Sequence, residues 1–321
     1  MRVFVAGGAG FIGSHFVDYH LSSPDVSVTV FDNLTSGHRG HLQEHVGSSR
    51  LAVIEGDLRD LQGLTTALVG HDIVYHFASN PDIAKAMTQP DIDFWQGTYL
   101  TQNLLEAMRV NGIRDIVYAS GSGVYGDAGA APVHEDHAPM RPISTYGASK
   151  LACEALIGAY CHMFGMRAYV FRFANVVGRR QTHGVAYDFI RKLKRNPHRL
   201  EVLGDGTQTK SYIHVSDVVL AVQHVISMVS ASFNYYNVAT DDYLDVKTIA
   251  DMVIQEMGLH DVALSFTNDR RGWKGDVPVV QFNLEKIHSL GWRAAMSSRQ
   301  AMLRSIREML ADLADGSTQC R

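Results

Sequence analysis

Cysteine and proline are scarce in this chain, long apolar runs are missing, and basic residues do not outnumber acidic ones. Three cysteines among 321 residues cannot all pair. Cys153 and Cys161 fall in a helical-looking stretch, roughly 12 Å apart along a helix axis. That separation is too great for a disulfide, so the expected setting is reducing and cytoplasmic. No stretch reaches the ~18 apolar residues of a membrane span. The opening run Met1–Ala6 breaks at Gly7-Gly8, short of the roughly 7–15 residues of a secretory apolar segment. With 29 Lys and Arg against 33 Asp and Glu, the formal net charge is −4. That balance, with no clustered basic stripe, argues against a nucleic-acid-binding surface. The absence of low-complexity runs argues against disorder.

What the chain does have is an ordinary apolar content, 46%, and enough length for a large core or two lobes. Short apolar runs (Val3–Ala6, Ser27–Phe31, Ala52–Glu55, Ile73–Phe77, Ile116–Ser120, Ala168–Phe173) read as buried strands. They alternate with helical patterns over Phe11–Leu21, Leu61–Val69, Asp93–Val110 and Thr145–Phe164. This alternation predicts an α/β fold of the Rossmann type, a doubly wound parallel sheet with helices on both faces. After residue 174 turn clusters separate shorter elements, with helical patterns over Ser216–Met228, Val246–Met257 and Arg299–Leu313. We therefore expect residues 1–175 to form a dinucleotide-binding domain to which 212–240 returns. Residues 176–321 are expected to form mainly a smaller α+β substrate lobe.

The strand Val3–Ala6 runs into Gly7-Gly8-Ala9-Gly10-Phe11-Ile12-Gly13. A G-x-x-G-x-x-G pattern is weak alone; its place between a first strand and a first helix makes it informative. Missing Cβ atoms there let Gly7, Gly10, Phe11, Ile12 and Gly13 bring backbone to a pyrophosphate at a helix N-terminus. Asp32 ends the second strand, where a carboxylate accepts from ribose hydroxyls and repels a 2′-phosphate, favouring NAD. Asp57 ends the third strand and reads either as an adenine contact or as a helix cap.

Tyr146 and Lys150, at i and i+4, project from one helical face. A free phenol is a poor base at neutrality. An ammonium beside it favours the phenolate, which can take a hydroxyl proton while hydride leaves the same carbon. A surface Tyr–Lys pair is the bland alternative, and the upstream dinucleotide pattern weighs against it.

These motifs together resemble the extended short-chain dehydrogenase/reductases of the NAD-dependent sugar epimerase/dehydratase family. The likeness runs through Gly7–Gly13, Phe31-Asp32-Asn33-Leu34, Gly56-Asp57-Leu58, Tyr75-His76-Phe77-Ala78, Val124-Tyr125-Gly126-Asp127, Tyr146–Lys150, Arg172-Phe173-Ala174-Asn175 and Gly204–Gln208. It implies a recycled NAD held also by Asn33, Leu58, Phe77 and Ala78, and a UDP-sugar substrate. It implies substrate contacts from Asn80, Tyr125, Asn175, Lys210, Arg271 and Asp276, and a homodimer through helical faces. Lys210 stands where many relatives carry Arg, keeping the charge but losing the planar fork. Relatives place Ser or Thr four residues before Tyr125; here that position is Gly121, with Ser120 and Ser122 as candidate substitutes. Relatives that perform 4,6-dehydration place acids where this chain has Ser122-Gly123. The expected chemistry is thus transient C4 oxidation, with 5,6-dehydration of UDP-GlcNAc favoured over 4-epimerisation. A catalytically silent NAD-binding regulator is the alternative of another class.

Other signals read blandly. His38, His41 and His45 imitate a metal face but fit a solvated helical face better, so no metal is expected. His134–His137 reads as a plain loop, with a lid or a substrate contact as the functional alternative. Asn80-Pro81-Asp82 reads as ligand contact or helix cap.

Overall fold

The computed structural model describes residues 1–129, 131–267, 275, 277 and 279–314. Six strands, β1 (Arg2–Ala6), β2 (Ser27–Asp32), β3 (Leu51–Glu55), β4 (Ile73–His76), β5 (Asp115–Gly121) and β6 (Arg167–Phe173), join Phe233–Val238 in one sheet. From one edge to the other the order is Phe233–Val238, β6, β5, β4, β1, β2, β3. β1 pairs in parallel with β2 from Arg2↔Ser27 to Ala6↔Phe31, and with β4 from Val3↔Ile73 to Ala6↔His76. Val3, Phe4, Val5 and Ala6 are wholly buried, as a central strand covered on both faces requires.

The chain builds outward from β1 to β3, then returns to β4 and builds outward on the other side. The strand order therefore reverses between β1 and β4, and a crevice opens beyond their carboxyl ends. Helices α1 (Phe11–Leu21), α2 (Leu61–Ala67), α3 (Tyr99–Val110) and α4 (Thr145–Phe164) flank the sheet. On α3 the residues Leu100, Leu104, Leu105 and Met108 fall on one face and are buried with Phe4, Leu64, Leu68, Ile116 and Ile157.

Two expectations need correction. The helix expected over Asp93–Val110 is present but is interrupted at Phe94–Thr98 by a π-turn before α3 proper. Ser149 Oγ donates to the Asp93 carbonyl at 2.7 Å, diverting that carbonyl at the helix start. β3, expected buried, is an edge strand whose residues 52–55 are exposed. Its apolar composition reflects only half a sheet environment.

The chain divides into two compact units. The first comprises residues 1–124, 145–172 and 222–236; the second comprises 125–144, 173–221 and 237–321. In the second, helices Val185–Arg195, Val246–Glu256 and Ser298–Ala314 bury Phe189, Ile190, Leu193, Val253, Met302 and Ile306 together. Short strand pairs accompany them: Asn175–Val177 with Tyr212–His214, and Arg199–Val202 with Ala263–Phe266.

A buried ion pair fixes α4 in the first unit. Glu154 on α4 meets Arg172 on β6 at 2.7 Å, with side-chain exposures of 5% and 3%. Arg172 Nε donates to the other carboxylate oxygen at 3.1 Å, and Ser120 Oγ on β5 donates to that oxygen at 2.5 Å. Removing one member of such a pair strands the other charge in low dielectric. We expect Glu154→Ala to cost about 3–5 kcal/mol in urea unfolding at pH 7; a loss below ~1 kcal/mol would show that water reaches Arg172.

Candidate active site

At the β1–α1 turn, Gly7 has φ +78°, and a Cβ there would lie 2.6 Å from the Ala78 backbone nitrogen. The N–H groups of Phe77 and Ala78 both donate to the Ala6 carbonyl, at 2.9 and 3.1 Å. The glycine turn is therefore pressed against the end of β4 at the crevice. Gly10 caps α1 without a side-chain hydrogen bond. The first-turn amides of Phe11, Ile12 and Gly13 have no intrahelical acceptor, and with the helix dipole they suit a pyrophosphate. This cradle, which a Cβ would fill, fits a dinucleotide.

Asp32 is buried at the end of β2. Its Oδ2 accepts from Ala9 N–H at 3.0 Å and its Oδ1 from Leu34 N–H at 2.9 Å. Burial raises its carboxyl above the usual range, with both amide donors opposing the rise. Asp57 is gripped by Arg59, through Nη2 at 2.6 Å and Nε at 3.0 Å, and is held down at about 2 by that partner. Asn33 Nδ2 reaches the same carboxylate at 3.3 Å. The cap of α2 is Asp60, accepting from Gly63 N–H at 3.1 Å, so the capping role considered for Asp57 belongs elsewhere.

Lys150 is buried one helical turn from the half-buried Tyr146. Its Nζ donates to the Ala119 carbonyl at 2.7 Å and lies 5.0 Å from the Tyr118 ring centroid and 5.5 Å from that of Tyr146. Two aromatic faces and one carbonyl stabilise the ammonium. An ammonium has three protons, so two remain for ligand hydroxyls. Beneath it, at the end of β4, His76 is wholly buried. Its Nε2 lies 3.0 Å from Thr101 Oγ1, and Thr101 donates onward to the Gly97 carbonyl or Cys153 Sγ. The imidazole therefore donates from Nε2, leaving Nδ1 with no partner among the described residues. Burial, with the Lys150 charge adding, pushes it down to about 3. A neutral ring thus sits beside Lys150.

The NAD dependent epimerase/dehydratase family model matches residues 3–239. The chain belongs to that family. It is 28% identical over 312 residues to the UDP-glucose 4-epimerase of Corynebacterium glutamicum, covering 91% of this chain and 90% of that one. Among solved structures it is similar to a UDP-galactose 4-epimerase, at 38% identity and TM-score 0.87, covering 98% and 100% of the two chains. It is also similar to the dTDP-glucose 4,6-dehydratase DesIV of Streptomyces venezuelae, determined as a double mutant with NAD bound. There the identity is 26% and the TM-score 0.89, over 99% and 100%. As a member of this family the chain is an NAD-dependent nucleotide-sugar enzyme.

The first unit of this epimerase/dehydratase brings together Gly7, Gly10, Phe11, Ile12, Gly13, Asp32 and Asn33 around one turn, with the Phe77–Ala78 backbone against it. Leu58 is a core residue, so only its backbone is available to a ligand. Ser120 is committed to Glu154 and cannot replace the hydroxyl missing at Gly121. Ser122 lies in a 3-10 turn, half-buried. Asn80 is buried and its amide is spent within the fold, donating to the Asp82 carbonyl at 2.8 Å and to Asp93 Oδ1 at 2.9 Å. Asp82 caps the turn Ile83–Met87, which settles the capping alternative for that segment.

In the second unit, the Tyr125 hydroxyl donates to Asn237 Oδ1 at 2.6 Å in a buried setting, away from a substrate role for that group. Glu135 is likewise buried, accepting from Asn237 N–H at 2.8 Å, so the loop with the lid alternative is anchored there. Asn175 is exposed and Lys210 half-buried, on the short strands Asn175–Val177 and Thr209–Lys210. Arg271 and Asp276 lie outside the described residues.

Three residues escaped sequence reasoning. Glu154 was readable as the next i+4 step after Tyr146 and Lys150. Asp93 accepts from Asn80 and, at 2.7 Å, from Thr145 Oγ1, tying the loop after β4 to the start of α4. His41, expected on a solvated face, is buried. Among the described residues no cluster suits a metal ion, and no helix is long and apolar enough to cross a membrane.

His76 gives a pH test. Unfolded, a histidine binds its proton near ~6.5; folded, this one does so only near 3. Between those values the unfolded state holds the extra proton, so stability falls as pH drops. We expect a loss of roughly 2 kcal/mol from this group between pH 7 and 5, with His20, held by burial at about 4, acting in the same direction. Urea midpoints at the two pH values check it, and equal midpoints would count against a neutral buried ring.

Proposed function

We propose that the protein is a UDP-hexose 4-epimerase that oxidises C4 and returns hydride to the opposite face. In this reading the first unit holds the cofactor, and Asn175 and Lys210 are assigned as contacts to the nucleotide sugar, as the family resemblance implies. Held at the glycine turn and by Asp32, NAD would supply the acceptor for the C4 hydride and the donor that restores it. Tyr146 takes the C4 hydroxyl proton and later returns it. Lys150, fixed by Ala119, keeps positive charge beside the phenol and offers its remaining protons to ribose hydroxyls. Ser122 is the hydroxyl we assign to orient the reacting group in place of a side chain at Gly121.

One observation carries the choice of epimerisation over elimination. Loss of water across C5–C6 needs a base at C5 and an acid at C6, whereas epimerisation needs neither. The end of β5 and the start of the turn after it carry Gly121, Ser122 and Gly123, none of them an acid or a base, and the Glu154 carboxylate that meets Ser120 is locked onto Arg172 and Ser120. The 5,6-dehydration of UDP-GlcNAc stays the second reading, supported by the absence at Gly121 of the hydroxyl that standard 4-epimerases carry. We also assign a homodimer, supported by the exposed Val110, Met163 and Phe164 at the ends of α3 and α4; a monomer mass by light scattering would reject it.

Incubation with UDP-glucose, UDP-galactose and UDP-GlcNAc discriminates. Unchanged mass with an inverted C4 signal by NMR supports epimerisation; loss of one water supports elimination. No change with any of them rejects both proposed reactions. Tyr146→Phe should retain NAD while turnover falls by at least ~10²-fold, and unaltered turnover would remove Tyr146 as the base.

A further inference from the structure

The segment after Asp32 lies against the glycine turn. A Cβ at Gly37 would sit 2.8 Å from Asp32 Oδ1 and 3.0 Å from the Ala9 side chain, so only glycine allows the chain to pass this closely. Beyond it, His38 N–H donates to the Ala9 carbonyl at 2.9 Å, and His41 Nδ1 lies 2.9 Å from the same oxygen. A carbonyl only accepts, so Nδ1 carries the proton. Further along, His45 Nε2 reaches Asp18 Oδ1 on α1 at 2.8 Å. The stretch from Gly37 to His45 is therefore a strap fastened at both ends to the β1–α1 unit.

Ala9 is fully buried in the middle of the turn, and both faces of its backbone are held from afar. Its N–H goes to Asp32 and its carbonyl receives His38 and His41, while Gly10 N–H closes onto the Gly7 carbonyl at 3.2 Å. With these peptide groups fixed, the first-turn amides of α1 keep the orientation a pyrophosphate needs, and binding incurs less ordering cost.

We propose that His41 is a positioning residue for the cofactor, holding the glycine turn in its dinucleotide-ready form through the Ala9 carbonyl. It touches neither sugar nor nicotinamide in this role, and the inference rests on NAD binding alone, whatever reaction follows. The test is the dissociation constant for NAD on the full chain stripped of cofactor, measured well below the melting temperature. Losing one buried hydrogen bond should raise it about three- to tenfold in His41→Leu. His41→Asn places an amide N–H where Nδ1–H stood and should stay within about twofold of wild type. His41→Gln displaces the donor by one bond length and should resemble Leu, which keeps the comparison open if Leu fails to fold. Wild-type affinity in Leu or Gln, or an Asn variant as weak as Gln, would overturn the proposal. So would a lowered melting temperature with an unchanged constant, the mark of a purely structural role.

Discussion

The approach of the Gly7 backbone to the backbone of Ala78 is the constraint on which the rest of the site depends. It joins the carboxyl ends of β1 and β4 at the one place where the strand order reverses. Any side chain at Gly7 would push the turn out of the crevice and with it the first amides of α1. Around this point the peptide groups of Ala6 and Ala9 are held by fixed partners. Asp32 takes the Ala9 amide, Ala6 takes two amides from the end of β4, and the strap from Gly37 covers the remaining side. The cofactor end is thus built by backbone geometry, with side chains used to hold it.

The side chains proposed for the chemistry are placed differently, from one helix. α4 presents Tyr146, Lys150 and Glu154 along a single stripe, and β5 receives the latter two at consecutive residues. Lys150 bonds the Ala119 carbonyl, and Glu154 takes the Ser120 hydroxyl. Asp93 fastens the start of the same helix through Thr145, and its carbonyl takes Ser149 one residue before Lys150. The π-turn at Phe94–Thr98 belongs to this arrangement, since Gly97 leaves room for the Ser149 side chain. Beneath the lysine, burial keeps His76 neutral and Tyr118 protonated, so neither adds a competing charge.

The sheet was legible in the sequence because central parallel strands are uniformly apolar and their glycine-bounded ends punctuate the pattern. The placement of Asp32 at the end of β2, and of Tyr146 and Lys150 one turn apart on α4, was legible because it follows from short spacings next to recognisable elements. β3 misled for a physical reason: a parallel edge strand has the composition of its neighbours without their cover. Asn80, Tyr125 and Ser120 lie in recognisable motifs, yet their polar atoms are consumed by Asp93, Asn237 and Glu154 from 13 to 112 positions away. No local pattern announces such partners. His41 was misread likewise, since a histidine at helical spacing looks solvated until Ala9, 32 residues earlier, comes into view.

The buried pair of Glu154 and Arg172 also settles where α4 can lie along its own axis. Hydrophobic contacts tolerate a helix sliding by one turn, about 5.4 Å, because i and i+4 positions exchange places. Here such a slide would carry Lys150 into the place of Glu154, opposite the Arg172 guanidinium, and set two cations together in a dry interior. The misplaced register is penalised by several kcal/mol, by the same rule that makes an unpaired buried charge costly. The alternation of sign along the stripe thus acts as a ratchet tooth. It admits one axial setting of α4 and keeps the Tyr146 hydroxyl at one height above the sheet.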